Sequence, residues 1–228
     1  MKNYTYGFPA TQALSFGKKS FQAAVPLSSF IAMLKLDNDS DVNNRSQRLV
    51  NMQRAKSFAN YILQNKGKES LCVVPTLIGV VEGEYEFTAV PLDGFSLIGR
   101  LDVHIGSQIK LFDGQHRAVG LKMALEQDSS LGTQMVNIML FDGLSLVERK
   151  QAFHDINYTP SKPPAALCIT YNAKNEEDRI LLAAIQKSAF RAHTDYERNT
   201  CAGSNENLYS IKSLKSFAEN LLGKKYEC

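Results

Sequence analysis

Ile109-Lys110-Leu111-Phe112-Asp113-Gly114-Gln115-His116-Arg117-Ala118-Val119-Gly120 changes structure part-way along. The apolar run stops at Asp113-Gly114, and Gln115 opens a helical pattern that continues to Gln127. A strand that ends in a tight turn and feeds a helix gathers free backbone N–H groups at one point, and such a point attracts anions. His116 and Arg117 in the first helical turn oppose the helix dipole, which prefers acidic residues there. A phosphate or other acidic group bound at the turn would explain them. Gly114 allows a positive φ and close approach of a ligand to the backbone. Asp113 can cap the helix, hold Mg²⁺ or act as a base. Gln115 can bond a phosphate or orient a water, and Arg117 can take a phosphate on two donors. The role of His116 is open. The competing reading is an ordinary strand–turn–helix junction with Asp113 as cap and the other polar residues merely exposed.

Upstream of the turn lies a β-rich block. Leu71 to Val81 is apolar and β-branched, Glu82-Gly83 turns, and Tyr85 to Val90 returns. Ser96 to Ile105 alternates around Leu97, Leu101, Val103 and Ile105, and Gly106-Ser107 leads into strand Ile109 to Phe112. Before this block the pattern predicts a short helix over residues 26–36, a polar loop over 37–44 and a longer helix from Arg45 to Gln64, ended by Gly67. Leu49, Met52, Ala59, Ile62 and Leu63 mark the buried side of that longer helix. Downstream, Met135 to Phe141 reads as a strand. Ser145 to Glu148 is a capping box that starts a helix running to Ile156 and stopping at Asn157. Residues 158–173 read as a connection, and Glu176 to Arg191 and Leu208 to Leu222 as helices. Strands in the middle with helices at both ends predict a compact α+β domain over residues 1–165. A helical extension over 166–228 follows, packed on that domain or beside it.

Composition narrows the function classes. The chain has 228 residues, 44% of them hydrophobic and 21% charged, as in ordinary globular proteins. No stretch approaches a membrane span, and Met1 to Tyr6 lacks the apolar core of a signal peptide, so the expected location is the cytoplasm. Cys72, Cys168, Cys201 and Cys228 have neither C-x-x-C nor Cys/His metal spacing, and Cys72 and Cys168 read as reduced core residues. No local spacing supports a Ser-His-Asp or Cys-His centre, and neither a Walker loop nor G-x-G-x-x-G occurs. The net charge of +3 permits nucleic-acid binding without demanding it. Its distribution says more. Arg45, Arg48, Arg54 and Lys56 lie in a stretch without an acid, where Arg45 and Arg48 share one helical face and Arg48 looks partly inward. Lys162, Lys174, Lys212, Lys215, Lys224 and Lys225 form a second basic region. Each can be a solvated face or a phosphate-contacting one.

Phe112-Asp113-Gly114-Gln115-His116-Arg117 resembles the signature of the DGQHR-domain family, which includes DndB-type proteins of DNA phosphorothioate modification systems. It is similar to the ParB/sulfiredoxin-like group, which carries a short Arg-ending motif at the same junction. Two further segments support the likeness. Arg45 to Tyr61, with Arg48, Arg54, Ala55 and Tyr61, resembles the family's upstream helix, with Phe58 where an aliphatic residue is usual. Phe153 to Asn157, after a helix bearing Arg149, resembles its downstream Phe-x-x-Ile-Asn element. The resemblance covers roughly residues 20–165. It implies a ParB/sulfiredoxin-like mixed sheet flanked by helices. It also draws Asn157, which position alone makes a helix C-cap, toward the turn.

Two functions follow as expectations. One is a DNA-binding regulator of a DNA sulfur-modification system, with double-stranded DNA as partner, other modification proteins as further partners, and oligomers allowed. Gly114, Gln115, His116, Arg117, Arg48, Arg54 and Asn157 would then meet phosphates. The other is a hydrolase of a nucleoside triphosphate with Mg²⁺. In that case Asp113 holds the metal, Gln115 orients water, and Gly114 and Arg117 hold phosphate.

Overall fold

The computed structural model describes residues 4–15, 17–67, 72–90, 97–158, 162–201 and 207–222. The chain divides into two compact units, Met1–Thr159 and Pro160–Cys228. Helices and a large mixed sheet make it an α+β protein.

The first unit opens with two long strands, β1 (Thr5–Ser15) and β2 (Lys18–Pro26), paired as an antiparallel hairpin. The expectation of strands only in the middle of the chain is corrected here. Phe8, Ala10, Phe21, Ala23 and Val25 alternate inward, but alanines and Pro9 dilute the apolar signal. Helix α1 (Leu27–Met33) buries Leu27, Phe30 and Met33, and a short strand, β3 (Leu34–Lys35), follows it. Helix α2 (Met52–Asn65) precedes β4 (Leu77–Glu82), β5 (Tyr85–Ala89), β6 (Ile98–His104) and β7 (Gln108–Asp113). Helix α3 (Gln115–Gln127), strand β8 (Met135–Phe141) and helix α4 (Leu146–Tyr158) complete the unit.

The sheet runs β3-β7-β4-β8-β2-β1-β6-β5. Strands β7 and β8 flank β4, antiparallel and parallel to it respectively, and α3 connects them across it. Ile109 and Leu111 of β7 join the main core with Ala59 and Ile62 of α2 and Ala118, Leu121 and Ala124 of α3. Phe112 points to the other face, where it meets Phe141, and α4 packs against β7. Gly120 sets how closely the two central helices approach. A Cβ there would lie 2.6 Å from the Ala55 carbonyl oxygen and 3.1 Å from Phe58, so α2 rests directly on the α3 backbone.

The helix expected from Arg45 starts only at Met52, capped by the Asn51 side chain, which accepts from Arg54 N at 3.1 Å. Residues 45–51 form an irregular strap instead. Asp37 accepts from Ser46 N and Oγ at 2.7 and 2.9 Å, and Arg45 donates to the Asp39 and Ser40 carbonyls at 2.8 and 3.3 Å. These bonds satisfy the backbone without a helical turn. Arg45 and Arg48 therefore share no helical face, and Leu49 and Met52 are exposed rather than buried. Leu71 and Ser96 lie outside the described residues; residues 72–76 are irregular, and the strand begins at Leu77.

The second unit holds α5 (Ala165–Tyr171), α6 (Glu176–Gln186) and α7 (Ile211–Leu221), with strands β9 (Thr194–Asp195) and β10 (Tyr209–Ser210) paired in parallel. The stretch read as a connection is α5, which Pro164 starts by its fixed φ. The helix read as running to Arg191 ends at Gln186, and a 3₁₀ turn spans Ala189–His193. The core centres on Ala166, Ile185 and Ile211. Cys168 is exposed and so is not the core residue expected, Cys72 is half-buried against the main core, and Cys228 lies outside the described residues. Among the described residues no helix is long and apolar enough to cross a membrane.

Candidate functional site

A cavity of about 270 Å³ opens at the junction of β7 and α3, entirely within the first unit. The turn contributes Asp113, Gly114, Gln115, His116 and Arg117; the strap contributes Gln47 and Arg48. Arg54 enters from α2, and Phe153 and Asn157 from α4. All the residues expected at the site thus come together, with Gln47 and Phe153 added. Gln47 carries no signal of its own in the sequence, because charges dominate its stretch. It is buried, and its amide donates to the Leu111 carbonyl. Phe153 carried a signal, as the first residue of the downstream element.

Each wall has a local cause. Gly114 caps α3 at φ 90° and ψ 13°, a left-handed conformation that favours glycine. A Cβ there would lie 2.6 Å from Leu77 Cδ2. Asp113 is not the cap. Its carboxylate accepts from Arg117 Nη2 at 2.6 Å, one helical turn away. Arg117 Nη1 donates to the Pro75 and Thr76 carbonyls at 2.7 and 3.2 Å. Arg117 therefore ties the turn to the segment entering β4, and three acceptors already hold its guanidinium.

Helix α4 is fixed by its capping box, in which Ser145 N donates to Glu148 at 2.8 Å and Glu148 N to Ser145 Oγ at 3.3 Å. Arg149 reaches Glu82 at 3.3 Å, and Lys150 donates to the Asn43 carbonyl at 2.6 Å. Asn157 lies inside α4 rather than capping it, and its amide donates to the Phe153 carbonyl at 2.8 Å. His154 stays outside the cavity, exposed and stacked on Tyr158.

The electrostatics are one-sided. Helices α2 and α3 have no acid in the first turn, and both first turns contribute to the cavity. Arg48 and Arg54 are exposed and make no ion pair among the described residues. Burial, with the positive charges of Arg54 and Arg48, pushes the His116 pKa below the usual histidine range. The ring is neutral, and its Nε2 is buried without a hydrogen-bond partner. Gln115 is 2% exposed; its Nε2 makes a long 3.4 Å bond to Asn38, and its Oε1 has none. Unsatisfied buried polar atoms are costly. Gln115 and His116 both belong to a cavity lining that also holds two cations without an ion pair among the described residues and two helix N-termini. Those cations and helix starts suit a compact oxyanion, whereas Gln115 Oε1 is an acceptor and suits a donor such as water.

Asp113 is the acid of the lining, and Arg117 already neutralises it. Among the described residues no group of three His, Cys, Asp or Glu side chains could hold a metal. The second basic region is less available than its sequence suggests. Lys215 pairs with Asp178 at 2.6 Å and faces Glu219 at 3.9 Å, and Lys224 and Lys225 lie outside the described residues.

No curated protein and no solved structure is recognisably similar to this chain. The family model of DndB, described as DNA-sulfur modification-associated, matches residues 8–227. The match spans both units, so the whole chain belongs to the DndB family of proteins associated with DNA sulfur modification.

Proposed function

We propose that this protein is a cytoplasmic DNA-binding regulator of a DNA phosphorothioate modification system, and that its β7–α3 cavity holds a phosphate of the bound DNA. One observation carries the reading: Arg48 and Arg54 are exposed, lack an acidic partner among the described residues, and share a cavity with the first turn of α3, where His116 Nε2 is buried without a hydrogen-bond partner. Two unneutralised guanidinium groups beside a helix start are what phosphate contacts require. Family membership supports the setting, with duplex DNA as the partner and other modification proteins as further ones. The kinship to ParB/sulfiredoxin-like proteins rests on the Asp113–Arg117 turn and belongs to the same proposal. The test is an electrophoretic shift with duplexes spanning the control region of the modification genes, titrated with salt. Binding that weakens steeply with salt is expected. No shift with any duplex at low salt would sink the reading.

A second reading has its own observation. The buried Gln115 has an unpartnered amide oxygen and belongs to the lining of a small cavity; that oxygen accepts, so it suits a water to be oriented toward a terminal phosphate. On this reading the protein hydrolyses a nucleoside triphosphate, with Gln115 orienting water and Asp113 meeting Mg²⁺ after giving up Arg117. Calorimetry with ATP, GTP and CTP in the presence of Mg²⁺ tests it, and absence of heat with all three excludes it.

A further inference from the structure

The cavity has a property that neither reading uses: the lining residue best placed to answer a bound anion is the one that can change its charge. His116 sits in the first turn of α3 with Nε2 buried and unpartnered, between the strap that carries Arg48 and the first turn of α2 that carries Arg54. We propose that this cavity takes up a proton on His116 when it binds a phosphate-class oxyanion, so that anion affinity rises as pH falls. The proposal rests on the reading that the cavity holds phosphate.

The strap contributes Gln47 and Arg48, and α2 contributes Arg54. The turn contributes Asp113, Gln115 and Arg117, and α4 contributes only the neutral Phe153 and Asn157. The arginines remain charged at any pH of interest. Asp113 is held by Arg117 at 2.6 Å. His116 is therefore the lining group whose charge changes near neutrality.

Without an anion, two unneutralised arginines and partial burial oppose a third positive charge, and the ring stays neutral. An oxyanion reverses both effects. It offsets Arg48 and Arg54, and it offers Nε2 the acceptor it lacks, so an N–H⁺ there becomes a charge-assisted donor. The proton comes from solvent and adds to one ring nitrogen; no bond in the anion is made or broken. Binding raises the histidine pKa, so protons are taken up on association, and by linkage the association constant falls as pH rises.

The oxyanion can be a diester of the DNA backbone or the terminal phosphate of a nucleotide, and two probes separate them. A short DNA duplex carries no phosphate that titrates near neutrality, so proton uptake on binding it belongs to the protein. ATP carries one that does, so uptake there is referred to the His116→Gln protein. The experiment is calorimetry of the full chain with each probe, in buffers of different ionisation enthalpy, between about pH 6 and pH 8. Proton NMR of the histidine rings runs alongside, with His116→Gln identifying the His116 signal.

For whichever probe binds, the expected results are uptake of up to about one proton and affinity rising by up to about tenfold per pH unit lowered. The His116 titration should move upward on saturation. His116→Gln should bind more weakly, with a flatter pH dependence and no protein-derived uptake. Binding by the wild type with buffer-independent heat and an unmoved His116 titration overturns the proposal while leaving the phosphate reading intact. With the duplex, uptake retained by His116→Gln overturns it as well, and with ATP, uptake by His116→Gln equal to that of the wild type does so. Failure of both probes to bind at any pH removes the phosphate reading, and the proton coupling falls with it.

Discussion

The turn at 113–117 and the strap with its following helix start, 45–54, face the same cavity and both bring arginine to it, yet they use it oppositely. Arg117 is 22% exposed and spends its donors on Asp113, Pro75 and Thr76. Arg45 of the strap likewise turns to the protein, its Nη1 donating to the Asp39 and Ser40 carbonyls. Arg48 and Arg54 are exposed and pair with no acid among the described residues. A motif residue can therefore be the scaffold of a cavity, while less conspicuous neighbours leave their charge open to it. Residue type does not separate these roles; the presence of a protein acceptor does.

Replacing Arg117 with Ala should break this contrast hardest. It leaves the half-buried Asp113 carboxylate without its donor, together with the carbonyls of the exposed Pro75 and Thr76. Fully buried pairs cost 3–5 kcal/mol when broken; with a fifth of each side chain in water we expect about 3 kcal/mol. Denaturant unfolding reads it. If Arg117→Ala kept wild-type stability and lost only ligand binding, Arg117 would belong with Arg48 and Arg54. Gly114→Ala should cost about 2 kcal/mol, from the left-handed backbone together with the clash at Leu77. A thermal midpoint equal to wild type would mean the turn does not depend on this conformation.

Arg48→Ala and Arg54→Ala should change stability by no more than about 0.5 kcal/mol, because neither exposed side chain has an ion-pair partner to abandon among the described residues. On the DNA-binding reading, each should lower duplex affinity and reduce the salt slope by about 0.9. Loss of stability without a change in slope would reverse their assignment.

The same distinction explains what could be read in advance. Helix α3 and strand β8 have the bounds their sequence implies, because each carries its own stop signals and a core-facing pattern. Helix α4 announced itself through Ser145 and Glu148, whose bonds are local. The strap misled because Leu49 and Met52 mimic helical spacing, while Asp37, which holds Ser46, is nine residues away. The hairpin at residues 5–26 was unread because small residues suffice where β1 and β2 lie inside the sheet. Strand β8 was recognisable as an element, but not its place between β4 and β2. At the site the residues were legible and their division of labour was not. That Arg117 is tied to Pro75 and Thr76 depends on a long-range contact no local pattern encodes.

The smallest expected effect is electrostatic and tests the strap side directly. Burial holds the His116 pKa low first, then Arg54, then Arg48. The native state thus resists a proton that the unfolded chain accepts. Stability from this source is intact above the unfolded histidine value of about 6.5 and is lost as pH falls through the lower folded value. His116→Gln should flatten the stability profile across that window, because glutamine does not titrate. Arg54→Ala and Arg48→Ala should each let the His116 titration move upward, Arg54→Ala the further, without restoring the ordinary value, because burial remains. Asp113→Asn should act differently. It removes the partner of Arg117, leaves a third positive charge uncompensated, and should move His116 downward if it moves it at all. Histidine proton shifts recorded against pH for the three variants measure all of this. A His116 titration that ignores Arg54 and Arg48 but responds to Asp113 would place the cavity's effective charge on the turn rather than on the strap and α2. The division between scaffold and ligand-facing arginines would then have to be drawn the other way.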